Sequence, residues 1–118
     1  MENCIFCSII EKKSPATCYY EDEDCIIIKP LKAFAPVHLL IIPRRHFTSL
    51  NDLTAADDAL AGRILRKARK AAEIGGIPEG YRTVINTGEG GGQTVFHLHI
   101  HVLGGGPLDD TLLTRGLK

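Results

Sequence analysis

The chain has 118 residues, 44% of them hydrophobic and 24% charged, proportions that suit a single globular domain over residues 1–118 with one core and no need of disulfide staples. Fourteen Lys and Arg balance fourteen Asp and Glu, and that neutrality excludes a dedicated binder of long nucleic acid, although not a pocket for a small nucleotide. The best apolar run, Val37 to Pro43, is strand-length and far short of the ~20 residues of a membrane span, and no apolar segment follows a basic start near Met1. A cytoplasmic protein with reduced thiols is expected.

Cys4 to Ile10 predicts a short helix ended by the polar run Glu11 to Pro15. Thr17 to Tyr20, Cys25 to Lys29 and Val37 to Ile42 are runs with strand character, punctuated by the acidic turn Glu21-Asp22-Glu23-Asp24, by Pro30 and by Pro43. Cys18 and Cys25 lie inside two of these runs and read as small buried apolar residues. The period then changes. Thr54 and Asp57 resemble a capping box with Asp in place of the usual Glu, and Leu60, Ile64, Ala68 and Ala71 fall on one helical stripe. Arg63, Arg66, Lys67, Arg69 and Lys70 occupy the opposite face, which in a neutral chain reads as a solvated helix surface, and Gly75 offers a cap. Tyr81 to Asn86 predicts a strand, Thr87 to Gln93 a glycine-dense loop, and Thr94 to Leu103 a last strand closed by Gly104-Gly105-Gly106-Pro107. Five strands, mostly adjacent in sequence, with one long helix and a short N-terminal one predict an α+β fold: an antiparallel sheet backed by the long helix.

The segment Phe96-His97-Leu98-His99-Ile100-His101-Val102-Leu103 carries the chemistry. In extended backbone, histidines at 97, 99 and 101 share one side while Leu98, Ile100 and Val102 face the core. Burial in a core accounts for one such histidine and not for three in register. Two chemistries use such a row. Three neutral imidazoles can ligate a catalytic zinc with one open position, or one imidazole can attack an electrophile while its neighbours hold charge and move protons. The preceding Gly88-Glu89-Gly90-Gly91-Gly92-Gln93-Thr94 has the composition of an anion nest, in which backbone N–H groups turn toward a phosphate. Phosphorus is also an electrophile that suits a neutral imidazole nucleophile. Cys4 and Cys7 are separated by two residues and form half of a metal site, a redox pair or two buried thiols.

His97-Leu98-His99-Ile100-His101-Val102-Leu103 resembles the His-φ-His-φ-His-φ-φ signature of the histidine-triad superfamily of nucleotidyl hydrolases and transferases, and most closely its Hint branch. The similarity extends through Cys4 to Ile10, Ala35 to His46, Asn86-Thr87-Gly88 and Gly91 to Phe96. It implies a histidine-triad fold and hydrolysis of phosphoramidate or phosphoester and anhydride bonds in AMP or GMP derivatives, through a covalent nucleotidyl-histidine. On that resemblance His99 is the nucleophile, with its other ring nitrogen held by a backbone carbonyl. His101 binds phosphate and protonates the leaving group, and His38 completes the proton-handling cluster. Asn86, Gly92, Gln93 and Thr94 match phosphate-contacting positions, and Ile28 and Leu31 match positions that pack the ribose and base. Zinc-bearing members join a Cys-x-x-Cys to histidines at positions matching His46 and His97, which implies a structural Zn2+ on Cys4, Cys7, His46 and His97. The family's usual state, a homodimer joined along a strand and helix edge, is also implied, with Tyr81 to Asn86 as the strand.

Two departures from that branch stand out. Where it places an aspartate that binds the ribose hydroxyls, this chain has Pro30, flanked by Lys29 and Lys32, and the tail after Gly104 differs. Three further readings accompany the phosphoramidase: a dinucleoside polyphosphate hydrolase, a zinc-stabilised nucleotide-binding adaptor without turnover, and a zinc hydrolase that uses all three histidines of the row as ligands.

Overall fold

The computed structural model describes residues 3–106 and Leu108. In chain order it contains helix α1 (Ile5–Ile10), strands β1 (Cys18–Glu21), β2 (Cys25–Ile28) and β3 (Val37–Pro43), helix α2 (Asp58–Ile74), and strands β4 (Arg82–Val84) and β5 (Ile100–Gly104). The five strands make one antiparallel sheet in the order β1-β2-β3-β5-β4. This is the α+β architecture expected, with one long and one short helix.

Alternation along the strands divides the core between two faces. Ile27, Leu39, Ile41, Ile100 and Val102 pack with Ile64, Ala68, Ala71 and Ala72 of α2. Ile26, Ile28, Leu40 and Ile42 point the other way and meet Phe6 of α1. Because both faces are covered there, β2 and most of β3 read as unbroken apolar runs. Each fully buried isoleucine of this core contributes roughly 2–3 kcal/mol of transfer free energy.

The capping box forms, with Asp57 Oδ2 accepting from the Thr54 N–H at 2.9 Å, but it starts a 3-10 turn over Ala55–Asp57 that leads into α2. At the far end Gly75 remains right-handed, and Gly76, at φ +73°, is the residue that turns left-handed. The Gly76 and Ile77 N–H groups reach the Glu73 and Ala72 carbonyls at 3.1 and 2.9 Å, a Schellman closure. The basic face of α2 is partly neutralised by the acidic turn between β1 and β2. Arg63 pairs with Asp24 at 2.8 Å and Lys67 with Asp22 at 3.1 Å.

Three expectations need correction. Cys18 is exposed, because it opens the edge strand β1, whose outer side has no cover; Cys25 is buried as expected. The strand expected over Tyr81 to Asn86 is limited to Arg82–Val84. The strand expected over Thr94 to Leu103 begins only at Ile100, so His97 and His99 precede it. Ladder bonds fail upstream because their groups are used elsewhere. The Pro43 carbonyl takes the His97 ring at 2.8 Å, and the Leu98 N–H goes to the Phe47 carbonyl at 2.7 Å.

Candidate functional site

Alternation survives the loss of sheet pairing. Leu98, Ile100 and Val102 turn toward the α2 side, while His97 and His99 approach Phe6 and His101 approaches His38. The α1 side of the sheet holds a cavity of about 1030 Å³, lined by Phe6, Ile9, Thr17, Ile28, Phe34, Leu40 and Val95 together with His38, His99 and His101. Lys29, Pro30, Leu31 and Lys32 also line it, with Leu31 fully exposed. The size and the largely apolar lining suit a ligand of nucleotide dimensions.

Protons in this histidine cluster can be placed from partners that have only one possible role. The Phe34 N–H can only donate, so His38 Nδ1, 3.1 Å away, accepts. His38 Nε2 therefore carries the proton of the 2.9 Å bond to His101 Nδ1. That leaves His101 Nε2 protonated, buried and without a hydrogen-bond partner among the described residues. The chain of donors thus ends in an N–H that no group among the described residues accepts, in a residue lining the cavity. His99 is fixed in the same manner. Its Nδ1 lies 2.7 Å from the His97 carbonyl, which can only accept, so Nδ1 donates and Nε2 keeps its lone pair. This is the tautomer that a nucleophilic Nε2 requires.

Burial disfavours the charged form of each ring. It lowers His38 to about 4 and His101 to about 3, with the neighbouring His99 adding to both. It also lowers His99, against the opposing effect of the bond to the His97 carbonyl. The cluster is therefore neutral at pH 7, the state in which His99 Nε2 keeps a free lone pair.

Cys4, Cys7, His46 and His97 converge at the end of the row, each offering a ligand atom, with all these atoms within 4.8 Å of one another. Cys4 Sγ and Cys7 Sγ lie 3.3 and 3.6 Å from His97 Nδ1, Cys7 Sγ lies 3.3 Å from His46 Nδ1, and the two Nδ1 atoms are 3.1 Å apart. Tetrahedral coordination at ordinary Zn–N and Zn–S lengths places such atoms about 3.4–3.6 Å from one another, so the group fits a metal ion. His97 is prepared for that role, because its Nε2–H donates to the Pro43 carbonyl at 2.8 Å and turns the Nδ1 lone pair toward the thiols. Burial, then the hydrogen bond and charge of Cys4, push the Cys7 thiol up to about 11. A bound cation reverses that direction.

The glycine loop behaves differently from the expected nest. The Gly91, Gly92 and Gln93 N–H groups close on the Gly88 and Glu89 carbonyls at 3.0–3.1 Å, which spends these donors inside the loop. The Gln93 side chain accepts from the Gly88 N–H at 2.8 Å and donates to the Thr48 and Val95 carbonyls at 2.7 and 3.0 Å. It braces the loop. Of the expected nucleotide-contacting residues, Ile28 and Leu31 line the cavity, whereas Asn86, Gly92, Gln93 and Thr94 lie outside its lining. Phe6 and Phe34 join the site without a motif of their own. The signal for Phe6 is its place inside Cys4-x-x-Cys7, while Phe34 carries none, because neither its ring beside His38 nor its N–H to that residue follows from local pattern.

Residues 3–107 match the family model described as the C-terminal binding domain of the scavenger mRNA decapping enzyme. The chain is 46% identical to Protein HitA of Neisseria gonorrhoeae over 104 residues, 88% of this chain and 97% of that protein. It is 40% identical to the purine nucleoside phosphoramidase of Escherichia coli K12 over 117 residues, 98% of each. Among solved structures it resembles a HIT family hydrolase from Legionella pneumophila, with a TM-score of 0.87 and 42% identity over 91% of this chain and 96% of that one. A zinc-bound histidine triad family protein from Mycobacterium smegmatis superposes with a TM-score of 0.73 at 34% identity, over 86% of this chain and 74% of that one.

Proposed function

The chain belongs to the histidine-triad family, and on that premise we propose that it is a nucleotide hydrolase that cleaves the P–N bond of nucleoside phosphoramidates through His99. The observation that carries this reading is the directed hydrogen-bond chain. It ends in the His101 Nε2–H, which has no partner among the described residues, beside a His99 whose Nδ1 is already bonded to a carbonyl. His99 Nε2 attacks the α-phosphorus, the P–N bond breaks, and the leaving amine takes its proton from the His101–His38 pair. Water then attacks the nucleotidyl-histidine, returns a proton to that pair and releases a nucleoside monophosphate. An anionic phosphoryl group beside His101 raises the proton affinity that burial has lowered, which couples charging of the acid to binding of substrate. Ile28 and Leu31 would pack base and ribose, and loop 88–94, braced by Gln93, would border the phosphate with Asn86, Gly92 and Thr94.

Cys4, Cys7, His46 and His97 would hold a structural Zn2+, supported by the donor set, its spacing and the Nε2 bond of His97. Bound there, zinc supplies a crosslink between α1 and the sheet. This reading leaves His99 and His101 free, unlike one in which the whole row ligates metal. The chain would form a homodimer through β4, which is an edge strand and lies near an apolar cavity of about 170 Å³ lined by residues that include Leu50, Leu65 and Ile85. A monomer by light scattering would count against that state.

The test is hydrolysis of adenosine and guanosine phosphoramidates by the wild type and by His99→Ala. Loss of three or more orders of magnitude in kcat for the variant is expected, and equal rates would refute the role of His99. Lys29 and Lys32 at the cavity favour a second reading, a dinucleoside polyphosphate hydrolase, which higher turnover of a dinucleoside polyphosphate than of a phosphoramidate would support. Nucleotide binding by calorimetry with no turnover of either substrate would instead favour an adaptor.

A further inference from the structure

Resting on the reading of His99 as the reacting group, we propose that Phe6 is a positioning residue for His99 and that, with the His97 carbonyl, it makes the geometry of His99 depend on occupancy of the Cys4/Cys7/His46/His97 group. Two contacts carry this coupling. His97 is fully buried and held at both ring nitrogens: Nδ1 lies among the thiols and His46, and Nε2–H bonds to the Pro43 carbonyl. Its backbone carbonyl accepts the His99 Nδ1–H at 2.7 Å, so the residue that offers a ligand atom to the metal group also sets the tautomer of the reacting imidazole.

The second contact comes from α1. Phe6 lies between the two cysteines of the group, and its ring meets His97 edge-on at 5.9 Å and 76° and His99 at 5.1 Å and 80°. The ring is wedged into the apolar cluster of Ile26, Ile28, Leu40 and Ile42, and it lines the cavity beside His99. Helix α1 has only six residues, and its N-cap is Cys4 itself, whose Sγ accepts the Cys7 N–H at 3.3 Å. A helix of that length has little stability of its own. Its position, and that of Phe6, therefore depends on what Cys4 and Cys7 hold as well as on the apolar cluster beneath it. With the group filled, the ring is a fixed wall against His99; with it empty, α1 is released at its capped end and His99 loses both restraints.

A purely structural metal group would stabilise the N-terminal segment without reaching His99, and the experiment separates the two roles. Ring 15N signals of His99 are recorded at a fixed neutral pH for the Zn2+-loaded protein, for the protein after chelation, and for Zn2+-loaded Phe6→Leu and Ile42→Val. Ile42 sits in the same apolar cluster and is absent from the cavity lining, so its variant reports general softening of the core. Expected is a single Nδ1–H tautomer in the loaded wild type and in Ile42→Val. Chelation and Phe6→Leu should each move the His99 signals toward a tautomer average and lower phosphoramidate kcat at least tenfold, with KM changed less than threefold.

The proposal is overturned if the protein takes up no Zn2+, if chelation leaves the His99 signals of the folded chain unchanged, if they are the same in loaded wild type and Phe6→Leu, or if Ile42→Val moves them as far as Phe6→Leu does. Should chelation unfold the chain, Phe6→Leu with the metal retained decides the matter. If no nucleotide substrate is turned over while the His99 tautomer still follows the metal and Phe6, the coupling stands and the hydrolase reading falls.

Discussion

Acid should destabilise this protein through the histidine cluster, by an amount that follows from burial. His38 and His101 titrate near 6.5 in an unfolded chain and near 4 and 3 in the fold. Both folded values are depressed, so between them and 6.5 the unfolded state binds more protons. The contribution is therefore fully present above pH 6.5 and is lost as pH falls toward 4 and 3. At pH 5, 1.5 units below the unfolded value, each ring costs about 2 kcal/mol at 1.36 kcal/mol per unit, and the pair about 4 kcal/mol. That is a large share of the 5–15 kcal/mol typical of a domain. Urea unfolding of the metal-loaded wild type and of His38→Leu, each at pH 7.5 and pH 5.0, isolates the effect, because acid release of metal is common to both. The wild type should lose about 2 kcal/mol more than the variant over this interval. Equal losses would refute the assignment of a buried neutral imidazole to His38.

The other predictions concern the loop, the helix end and the mouth of the cavity. Gln93→Leu removes three hydrogen bonds that brace residues 88–95 and should cost about 3 kcal/mol by urea unfolding, with KM rising more than kcat falls. Gly76→Ala places a Cβ on backbone at φ +73° and should cost about 1 kcal/mol, whereas Gly62→Ala, with open space around its Cβ inside α2, should be neutral or stabilising. Pro30 has no side-chain acceptor for sugar hydroxyls, so AMP and 2′-deoxy-AMP should bind within about threefold of each other. Pro30→Asp should open a gap of about tenfold in favour of ribose, read by calorimetry. Cys4→Ser should abolish stoichiometric zinc, measured by elemental analysis against the wild type.

Much of this site was legible because period-two patterning is a local property. His97, His99 and His101 alternate with Leu98, Ile100 and Val102 whether or not a strand forms, and the structure keeps the alternation while starting β5 only at Ile100. What could not be read was where backbone groups would be spent. No residue type announces that the Pro43 carbonyl binds an imidazole instead of a ladder partner, or that the Gly91 to Gln93 N–H groups close on their own loop. The composition of the glycine loop permits a nest, but the 3-10 turn over Glu89–Gly91 satisfies these donors internally and Gln93 takes the Gly88 N–H. Gly75 is the cap of α2 as expected, but which residue turns left-handed after it is not readable from residue type. Gly75 and Gly76 are adjacent, and only the Schellman bonds distinguish them. Cys18 was read as buried because pattern does not show that its strand lies at an edge.

The placement of the site follows from the unequal cover on the two sides of the sheet. Helix α2, with 17 residues, spans one face and fills it with Ile64, Ala68, Ala71 and Ala72, leaving little room for a ligand. The other face has α1, which at 1.5 Å per residue is about 9 Å long and cannot cover strands β2, β3 and β5 together. What it leaves open is the cavity, floored by the side chains that alternation sends to that face: Ile28, His38, Leu40, His99 and His101. A six-residue helix that buries Phe6, and Ile9 and Ile10 only in part, has little stability of its own. The thiols at its start converge with His46 and His97, and a metal ion held by that group would supply an anchor. One row of alternating histidines would therefore serve both needs, with His97 placed to tie down the short helix through that group and His99 and His101 lining the space the helix leaves open.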